Sequence, residues 1–449
     1  MNTLKTLESL NLFRTLHSQT LARFAGRPKH AILDRSFSKA LIVGAGNAGI
    51  TVHAHLTKFT LLHRDEIRIV EPQAFSYFGP NVDLVPFDIK NKDEVEVPIL
   101  KSIYEQTDID FLRIKQFRPD KNKVITEENR ELTYDNLILA TGLVIDGNPI
   151  EGLIDALNDR GSGVVTSFNI DYAVIAKDIF EFMSPGRVLF YNAGAAAKDY
   201  NTTINTALLF ESNLRVNKSR THRDSFQLEY YTPETDLFVG PKSSEAIGDL
   251  FTKKNINFQC NAELIKIDKE KKEAVFRDRQ TNEEFTKQYD VLFISPPCVQ
   301  DPSVIKCKEL VSSPYNLDIN TKTLVHNKFS NVFALGHCTR VPAAYSQTAL
   351  ILQSIVLCRN LQLSLDALLS KKAPFFEYNG ETSIPIFPDW HKCFTISLSE
   401  AKGETISPTS RLNYFNEVYK SQWIFYNLVV RGVWYGPTGL KRPPIELKD

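Results

Sequence analysis

A glycine pattern near the start of the chain constrains its fold more than any other feature. Gly44, Gly46 and Gly49 stand in the sequence GAGNAG, directly after the β-branched run 39–43 and before a helix-like stretch at 50–58. The first glycine permits a tight turn, the second lets the backbone approach a pyrophosphate, and the third allows close packing of a helix on a strand. The pattern therefore predicts a βαβ unit that binds a dinucleotide at the N-terminus of its helix.

The acidic residue that completes such a unit is also present. A second strand, 66–70, ends at Glu71. An acid about twenty residues after the glycines is placed to bind ribose hydroxyls. Because strand, glycines, helix and acid occur in register, the signal is stronger than that of a lone GxGxxG. The predicted contacts with the cofactor in this unit are Gly44, Gly46, Ala48, Gly49 and Glu71.

A second strand–turn–helix unit follows later in the chain, but its turn is different. Strand 187–191 leads into NAGAAAKD at 192–199, which contains a single glycine. This turn offers no evident cradle for a second pyrophosphate, so we expect that NAD(P)H is not a substrate. Together the two units predict an α/β protein with two Rossmann-like dinucleotide-binding domains.

Composition argues against several other classes of protein. The 53 basic residues balance the 53 acidic residues, which gives no reason to expect a nucleic-acid partner. The six cysteines are scattered without a CxxC pair, so neither a disulfide framework nor a metal site is predicted. Residues 1–30 are amphipathic and basic and contain one acid, Glu8, as in a mitochondrial transit peptide. An ordinary surface helix is the alternative interpretation of this leader.

Several further stretches resemble one family of flavoproteins. YDNLILATG at 134–142 and NVFALGHC at 331–338 resemble the second and third FAD fingerprints of the glutathione-reductase superfamily. The segments 378–386 and 425–437, the latter with Arg-Gly-x-Trp-x-Gly-Pro, are similar to segments of mitochondrial sulfide:quinone oxidoreductases. The resemblance covers almost the whole chain after the leader.

The resemblance implies FAD as the cofactor, ubiquinone as the acceptor, and sulfide or another small molecule as the electron donor. It also implies a glutathione-reductase-type FAD fold, a mitochondrial location and peripheral association with the inner membrane. The cofactor contacts that it adds are Thr141, Gly142, Gly336 and His337. The implied domains are a transit peptide (1–30), the first part of the FAD domain (38–155), a second Rossmann-like domain (156–300), the second part of the FAD domain (301–375) and a quinone- and membrane-facing region (376–449).

The chain departs from this family at the redox centre. The resemblance implies two cysteines on opposite sides of the flavin, which form the disulfide that sulfide attacks. The equivalent positions here are Asp199 and Ile384, neither of which can form a persulfide. Cys298 and Cys393 are possible substitutes, with inert buried thiols as the alternative. His337 stands where the third fingerprint of the family has an acid, and we assign no catalytic residue from the sequence.

Functions from different classes therefore stay open. One is an FAD enzyme of the sulfide:quinone oxidoreductase type, and another is a flavin-binding pseudoenzyme with a structural or regulatory role at a mitochondrial membrane. A third, an enzyme like type II NADH dehydrogenase, is disfavoured by the single-glycine turn. By its periodicity alone, the aromatic stretch 414–434 favours packing on the FAD domain; the family resemblance implies instead an amphipathic tail at a membrane interface.

Overall fold

The computed structural model describes residues 36–103, 107–218, 220–341, 346–365 and 375–441. The predicted transit peptide, residues 1–30, lies outside them. The first part of the chain contains β1 (Phe37–Val43), α1 (Asn47–Phe59), β2 (Ile67–Val70), β3 (Phe75–Tyr77), α2 (Lys92–Val95), β4 (Glu96–Pro98), β5 (Asp108–Asp110), β6 (Ile114–Arg118), β7 (Lys123–Thr126), β8 (Glu131–Leu139), β9 (Val144–Ile145) and α3 (Leu153–Leu157).

The middle and last parts continue the series of elements. The middle part contains β10 (Val164–Val165), α4 (Ile170–Phe182), β11 (Arg187–Asn192), α5 (Asn201–Asn213), α6 (Arg220–Asp224), β12 (Gln227–Tyr231), α7 (Pro241–Lys253), β13 (Ile256–Gln259), β14 (Ala262–Asp268), β15 (Glu273–Asp278), β16 (Glu284–Gln288), β17 (Val291–Ser295), β18 (Cys298–Val299) and α8 (Pro302–Lys306). The last part contains β19 (Val332–Ala334), α9 (Gln347–Leu365), β20 (Thr382–Asp389), β21 (Lys392–Ser399), β22 (Gly403–Ile406), α10 (Arg411–Phe415) and α11 (Ser421–Asn427).

The βαβ unit predicted from the glycine pattern is present. Strands β1 and β2 pair in parallel, with α1 as the crossover, in a sheet of order β5-β2-β1-β8-β7-β6. β19 returns to this sheet and pairs in parallel with the end of β8. The interior strands are continuous apolar runs, as expected for parallel strands buried on both faces; Leu41, Ile42, Ile69, Leu137 and Ile138 are fully buried.

The second Rossmann-like unit is also present, which confirms the predicted α/β class. Its sheet has the order β10-β17-β11-β12-β13, and the pairs along it are parallel. Helix α5 follows the single-glycine turn after β11. An antiparallel meander, β14-β15-β16, precedes the return of the chain through β17.

Helix α9 is long and apolar enough to cross a membrane by length and composition. Most of it is nevertheless buried inside the protein, including Gln353, Ser354 and Asn360. A buried helix with polar residues that contact the core is the expected core element of an α/β domain rather than a membrane span.

The C-terminal segment closes back on α1. The imidazole of His55 lies with Nε2 3.2 Å from the Trp434 carbonyl oxygen, and its ring stacks on Tyr435 with centroids 6.2 Å apart. Burial lowers the pKa of His55 to about 4, so the ring is neutral and Nε2–H is the donor to that carbonyl. Gly432 has φ +66°, and a Cβ there would lie 2.4 Å from the Ala54 carbonyl oxygen. The tail is therefore held in close contact with the helix that follows the glycine pattern.

Candidate functional site

The glycine turn has the geometry that its sequence predicts. Gly44 has φ +106°, and a Cβ there would lie 2.3 Å from the Ala140 carbonyl oxygen. A Cβ at Gly49 would lie 1.8 Å from the Gly44 carbonyl oxygen, so the helix packs against the strand at a distance that only glycine allows. A Cβ at Gly46 would meet no atom within 4 Å. The first and third glycines are thus required by packing, whereas the second faces open space.

The N-terminus of α1 is suited to bind a negatively charged group. Gly46 is the N-cap residue, no side chain caps the helix, and its first turn carries no acid. Exposed N–H groups and the positive end of the helix dipole are the usual binding site for a pyrophosphate. The carboxylate of Glu71 lies beside this turn, where Oε2 accepts from Ala45 N–H at 2.8 Å and Oε1 from Gln73 N–H at 2.9 Å. Burial raises the pKa of Glu71.

Residues of the other two fingerprints reach the same edge of the sheet. The backbone nitrogen of Thr141 would be 3.3 Å from a Cβ at Gly44, and Gly142 has φ +66°. Gly336 has φ +78°, and a Cβ there would lie 2.9 Å from the Cβ of Ala48. The carboxyl ends of β1, β8 and β19 therefore meet, which is where open α/β sheets bind their ligands.

His337 follows Gly336 at the end of β19. Burial, followed by the positive charges of Lys198 and Arg340, lowers its pKa to about 3. The ring is therefore neutral at physiological pH, and this pKa makes it a poor general base. Lys198 belongs to the turn of the second Rossmann-like unit. Because its charge acts on His337, the imidazole lies near that turn. The structure thus brings together two of the departures from the family, His337 and the Lys198-Asp199 dipeptide.

Asp199 lines a small cleft of about 30 Å³. The cleft contains charged, hydroxyl and apolar groups: Gly79, Val82, Asp83, Thr166, Ser167, Phe168, Lys198, Asp199, Thr202, Ser295 and Pro296. The ammonium of Lys198 donates to the Phe168 carbonyl oxygen at 3.3 Å and lies 5.2 Å from the centre of the Phe168 ring. Burial acts to lower the pKa of Lys198, but nearby Tyr77, Asp199, Cys298 and Asp83 raise it above its ordinary value. Lys198 is therefore charged.

The residue that the sequence did not reveal in this cleft is Asp83. Its two carboxyl oxygens accept from the hydroxyls of Ser167 and Thr202, each at 2.7 Å. Burial and the charge of Asp199 raise the pKa of Asp83 to about 7. Asp199 itself accepts from the Thr202 N–H at 3.3 Å and so caps α5. The cleft accordingly holds two carboxyl groups, one of which retains a proton near neutral pH, beside one ammonium.

The second redox position, Ile384, is an apolar core residue. It lies on β20, is 2% exposed and packs in the core shared with the second Rossmann-like unit. Asn205 of α5 bonds the same strand, since its Nδ2 donates to the Pro385 carbonyl oxygen at 3.1 Å and its Oδ1 accepts from Phe387 N–H at 3.0 Å. Ile384 therefore fills volume beside α5 and has no polar or redox chemistry to offer.

None of the six cysteines lies in an environment that favours the thiolate. Burial raises the pKa of every one of the six thiols: Cys260, Cys298 (to about 12), Cys307, Cys338 (to about 11), Cys358 and Cys393. All six are free. Cys298, one of the two possible substitutes, donates its S–H to the Pro296 carbonyl oxygen, and the other, Cys393, lies in the core. Both behave as inert buried residues. Among the described residues, no group of His, Cys, Asp and Glu side chains is arranged to hold a metal ion.

Arg340 joins the two turns. Its guanidinium donates to the carbonyl oxygens of Ala195 and Ala197, both at 2.9 Å, and to those of Ala196 and Cys298. The carbonyl groups of the second turn thus face a cation of the protein itself. Glu234 completes this turn by accepting from Ala195 N–H at 2.8 Å, much as Glu71 does in the first unit.

We predict that Asp83→Asn changes how stability depends on pH. The pKa of Asp83 is raised from 3.8 to about 7 in the folded chain, so its ionisation destabilises the fold as pH rises through this window. The free energy of unfolding of the wild-type chain should fall between pH 4 and 7 relative to Asp83→Asn, by on the order of 1–4 kcal/mol. Urea unfolding at several pH values measures this difference.

The exposed turn residue Asp120 provides the matched control. Asp120→Asn removes an exposed carboxyl group and should change stability little. A pH-independent difference between wild type and Asp83→Asn would contradict the raised pKa.

Comparison with known proteins agrees with this architecture. No family model matches the chain. The chain is 25% identical to the mitochondrial sulfide:quinone oxidoreductase of Schizosaccharomyces pombe, over 94% of this chain and 95% of that protein. It is 26% identical to the mitochondrial sulfide:quinone oxidoreductase of Dictyostelium discoideum, over 91% of this chain and 89% of that protein.

Solved structures show the same fold. A chain in the cryo-EM structure of the Tetrahymena thermophila mitochondrial ATP synthase superimposes with a TM-score of 0.74 at 18% identity, covering 92% of this chain and 100% of that one. The sulfide:quinone oxidoreductase of Aquifex aeolicus superimposes with a TM-score of 0.72 at 14% identity, over 88% and 92% of the two chains. Plasmodium falciparum NDH2, solved in complex with NADH, reaches 0.63 at 13% identity, over 89% and 99%. Over almost its full length the chain is thus similar to mitochondrial sulfide:quinone oxidoreductases, on a fold with two Rossmann-like domains.

Proposed function

We propose that the chain binds FAD and passes electrons from a small donor to a quinone in the mitochondrion, as its relatives' names describe for sulfide, but without a persulfide. The observation that carries the first half of this proposal is the cradle at the ends of β1, β8 and β19. The claim that no persulfide forms is supported by the cysteines. Among the described residues, every cysteine thiol has a pKa above its ordinary value.

The residues present fit the nucleotide end of FAD. The uncapped N-terminus of α1 and the open side of Gly46 would receive the pyrophosphate, and the carboxylate of Glu71 would receive ribose hydroxyls. Bound FAD would supply an acceptor for two electrons that can be reoxidised by a quinone. His337, as a neutral imidazole, offers one donor and one acceptor where the family has a carboxylate.

We predict that Gly46→Val abolishes flavin binding while the chain stays folded. A Cβ at Gly46 meets no protein atom within 4 Å, so we expect the fold to accept a small side chain there, which would occupy the space that the pyrophosphate needs. The flavin-to-protein ratio from the visible spectrum measures binding, and thermal unfolding without added FAD measures the fold. Gly248→Ala on α7, where a Cβ meets only side chains at 3.7 Å, is the matched control and should keep full flavin. Equal flavin in both variants would overturn the assignment of this cradle.

The donor side of the proposal follows from the Asp83–Lys198–Asp199 cleft. Hydrosulfide is an anion, and the two carboxyl groups oppose its entry whenever both are ionised. The charged Lys198 compensates for one of them, so the cleft suits a neutral polar molecule better than an anion. Because Asp199 and Ile384 replace the thiol pair that would take up sulfide, we propose that the donor belongs to another class of small molecule.

We predict that sulfide leaves the flavin band of the wild-type protein unchanged, whereas flavin reduced by dithionite is reoxidised by a ubiquinone analogue under anaerobic conditions. The double variant Asp199→Cys with Ile384→Cys restores both positions of the redox pair and should bleach on addition of sulfide. Asp199→Cys alone is the control and should not bleach, because one thiol cannot form the disulfide that sulfide attacks. Stopped-flow absorbance of the flavin reports all three reactions.

The same assay separates the possible outcomes. Bleaching of the wild-type flavin by sulfide would overturn the proposed change of donor. Failure of the quinone to reoxidise the flavin would overturn electron transfer to a quinone. NADH should not reduce the flavin, because Arg340 and Asp199 occupy the second turn and the N-terminus of α5, where a second pyrophosphate would bind.

The tail supports attachment to a membrane. Leu412, Phe415, Tyr419 and Trp423, which we call the apolar stripe, recur at helical spacing and are 67%, 55%, 44% and 58% exposed. The opposite side of the same helical segment is buried and includes Tyr414, Val418 and Phe425. An exposed row of large apolar and aromatic side chains with basic neighbours is typical of a helix that lies in a membrane interface.

We predict that Phe415→Glu with Trp423→Glu weakens binding to phosphatidylcholine vesicles at least tenfold, since each buried aromatic contributes on the order of 1 kcal/mol or more to insertion. Both side chains are exposed, so the fold should be unaffected. Phe182→Glu, at a residue that is 79% exposed on α4, is the matched control and should leave binding unchanged. Equal losses in the two variants would mean that the apolar stripe is not the attachment surface.

A second candidate function is a flavin-binding structural component of a mitochondrial assembly. The fold similarity to an entire chain of the Tetrahymena thermophila ATP synthase structure favours it, as do the substitutions at Asp199 and Ile384. Native electrophoresis of mitochondrial membranes distinguishes the candidates. Migration only within a large assembly, together with a flavin that quinone does not reoxidise, would support the structural role over the enzyme.

A further inference from the structure

Lys90 is mostly buried, but its ammonium nitrogen keeps access to solvent. The residue is 5% exposed and lies between the 3₁₀ segment Gly79–Phe87 and α2. Its ammonium stands 4.4 Å from the centre of the Tyr419 ring, and no hydrogen bond or ion pair of Lys90 is formed within the described part of the chain. An ammonium has three N–H donors, and one aromatic face satisfies them only in part.

The position of this ammonium at the edge of the apolar stripe is significant. Tyr419, the ring beneath it, is a member of that stripe and belongs to the π-helical turn Asn416–Lys420. Lys90 therefore lies at the boundary between the buried protein and the surface that we assign to the membrane. Lys420, exposed next to Tyr419, adds a second positive charge.

The tail holds this arrangement in place. The Asn81 side-chain Nδ2 donates to the Val418 carbonyl oxygen at 3.1 Å and to Gln422 Oε1 at 3.0 Å. The Gln422 side chain in turn donates to the Glu94 carbonyl oxygen. These bonds tie the segment that carries Lys90 to the helical segment that carries the stripe.

The acids near Lys90 are already engaged. Glu94 is the acid that acts on Lys90 electrostatically, and its Oε2 accepts from Asn91 N–H at 2.9 Å. Asp88 pairs with Lys177 at 2.6 Å, and Asp171 pairs with Lys92 at 2.8 Å. Glu417, in the same turn as Tyr419, is buried, which raises the pKa of its carboxyl to about 7. Within the described residues, none of these carboxyl groups accepts a hydrogen bond from the Lys90 ammonium, so a phosphate from outside the chain can bind it.

We propose that Lys90 and Tyr419 bind the headgroup phosphate of an anionic phospholipid while the apolar stripe inserts among the acyl chains. The proposal rests on the membrane attachment proposed above and adds a lipid preference to it. The apolar stripe would lie among the acyl chains of the lipid. The Lys90 ammonium, beside the Tyr419 ring, would then lie at the level of the headgroups, where it meets the lipid phosphate. In phosphatidylcholine the cationic choline already balances the charge of the phosphate. An anionic lipid has no such cation, so it is the better partner for the Lys90 ammonium.

Co-sedimentation with vesicles tests the proposal. Vesicles of phosphatidylcholine alone are compared with vesicles that contain phosphatidylglycerol, at low and at high salt. The wild-type chain should prefer the anionic vesicles, and Lys90→Gln should lower its affinity for them about fivefold, as expected for the about 1 kcal/mol that one lysine contributes near a charged membrane surface. Binding to phosphatidylcholine vesicles should be unchanged. Lys90→Arg should keep the preference.

Two control variants distinguish a specific role of Lys90 from a general loss of charge or of fold. Lys271→Gln removes an exposed lysine from the β14–β15 hairpin, away from the tail, and should not change the preference. Lys90→Met retains apolar volume at the buried position, so it separates loss of charge from loss of fold, which thermal unfolding verifies.

Several outcomes would overturn the proposal. One is equal affinity of wild type for both kinds of vesicle, which would leave the apolar stripe as a lipid-binding surface without a phosphate site. Another is wild type that binds neither kind, in which case membrane attachment itself fails. A third is self-association in light scattering that Trp423→Glu abolishes, which would assign the stripe to contacts between copies of the chain.

Discussion

The guanidinium of Arg340 links the two Rossmann-like halves, and the arrangement of the candidate site depends on this link. It binds three consecutive carbonyl groups of the second turn and one at the start of β18, although Arg340 itself adopts a left-handed conformation with φ +51°. Such a conformation is unfavourable for a residue with a side chain and persists when the surroundings compensate for it. Lys198 of one half lies close enough to His337 of the other for its charge to lower the pKa of the imidazole, after the larger effect of burial.

Much of the fold could be predicted because steric rules act over a few residues. The turn between β1 and α1 requires glycine at Gly44 and Gly49 whatever the remainder of the chain does, so its sequence pattern is sufficient. The structure of the tail was harder to predict from the sequence, because Pro385 and Pro388 interrupt the strand pattern of β20. Proline is tolerated there since β20 is the edge of its sheet and leaves N–H positions unpaired. Only the topology reveals that this strand is an edge.

The chemistry of the cleft was beyond sequence reasoning for a different reason. Asp83 carries no motif, and its raised pKa arises from burial and from Asp199, which is far away in the chain. The predicted positions Asp199 and Ile384 indicated what the site had lost, whereas the structure shows what replaced it. A thiol pair stores electrons, and a pair of carboxyl groups stores a proton. The glycine turn between β1 and α1 keeps the geometry that its sequence predicts.

The close contact between the tail and α1 has a thermodynamic consequence. Gly432 touches the Ala54 carbonyl group in the middle of α1, and the Trp434 carbonyl group accepts a hydrogen bond from His55 on the same helix. The first turn of that helix faces the cofactor cradle, and the segment before Gly432 carries the apolar surface. A ligand that orders one end of such a shared element lowers the cost of ordering the other, and the coupling is reciprocal. We therefore expect cofactor binding and the surface attachment proposed above to be coupled through α1.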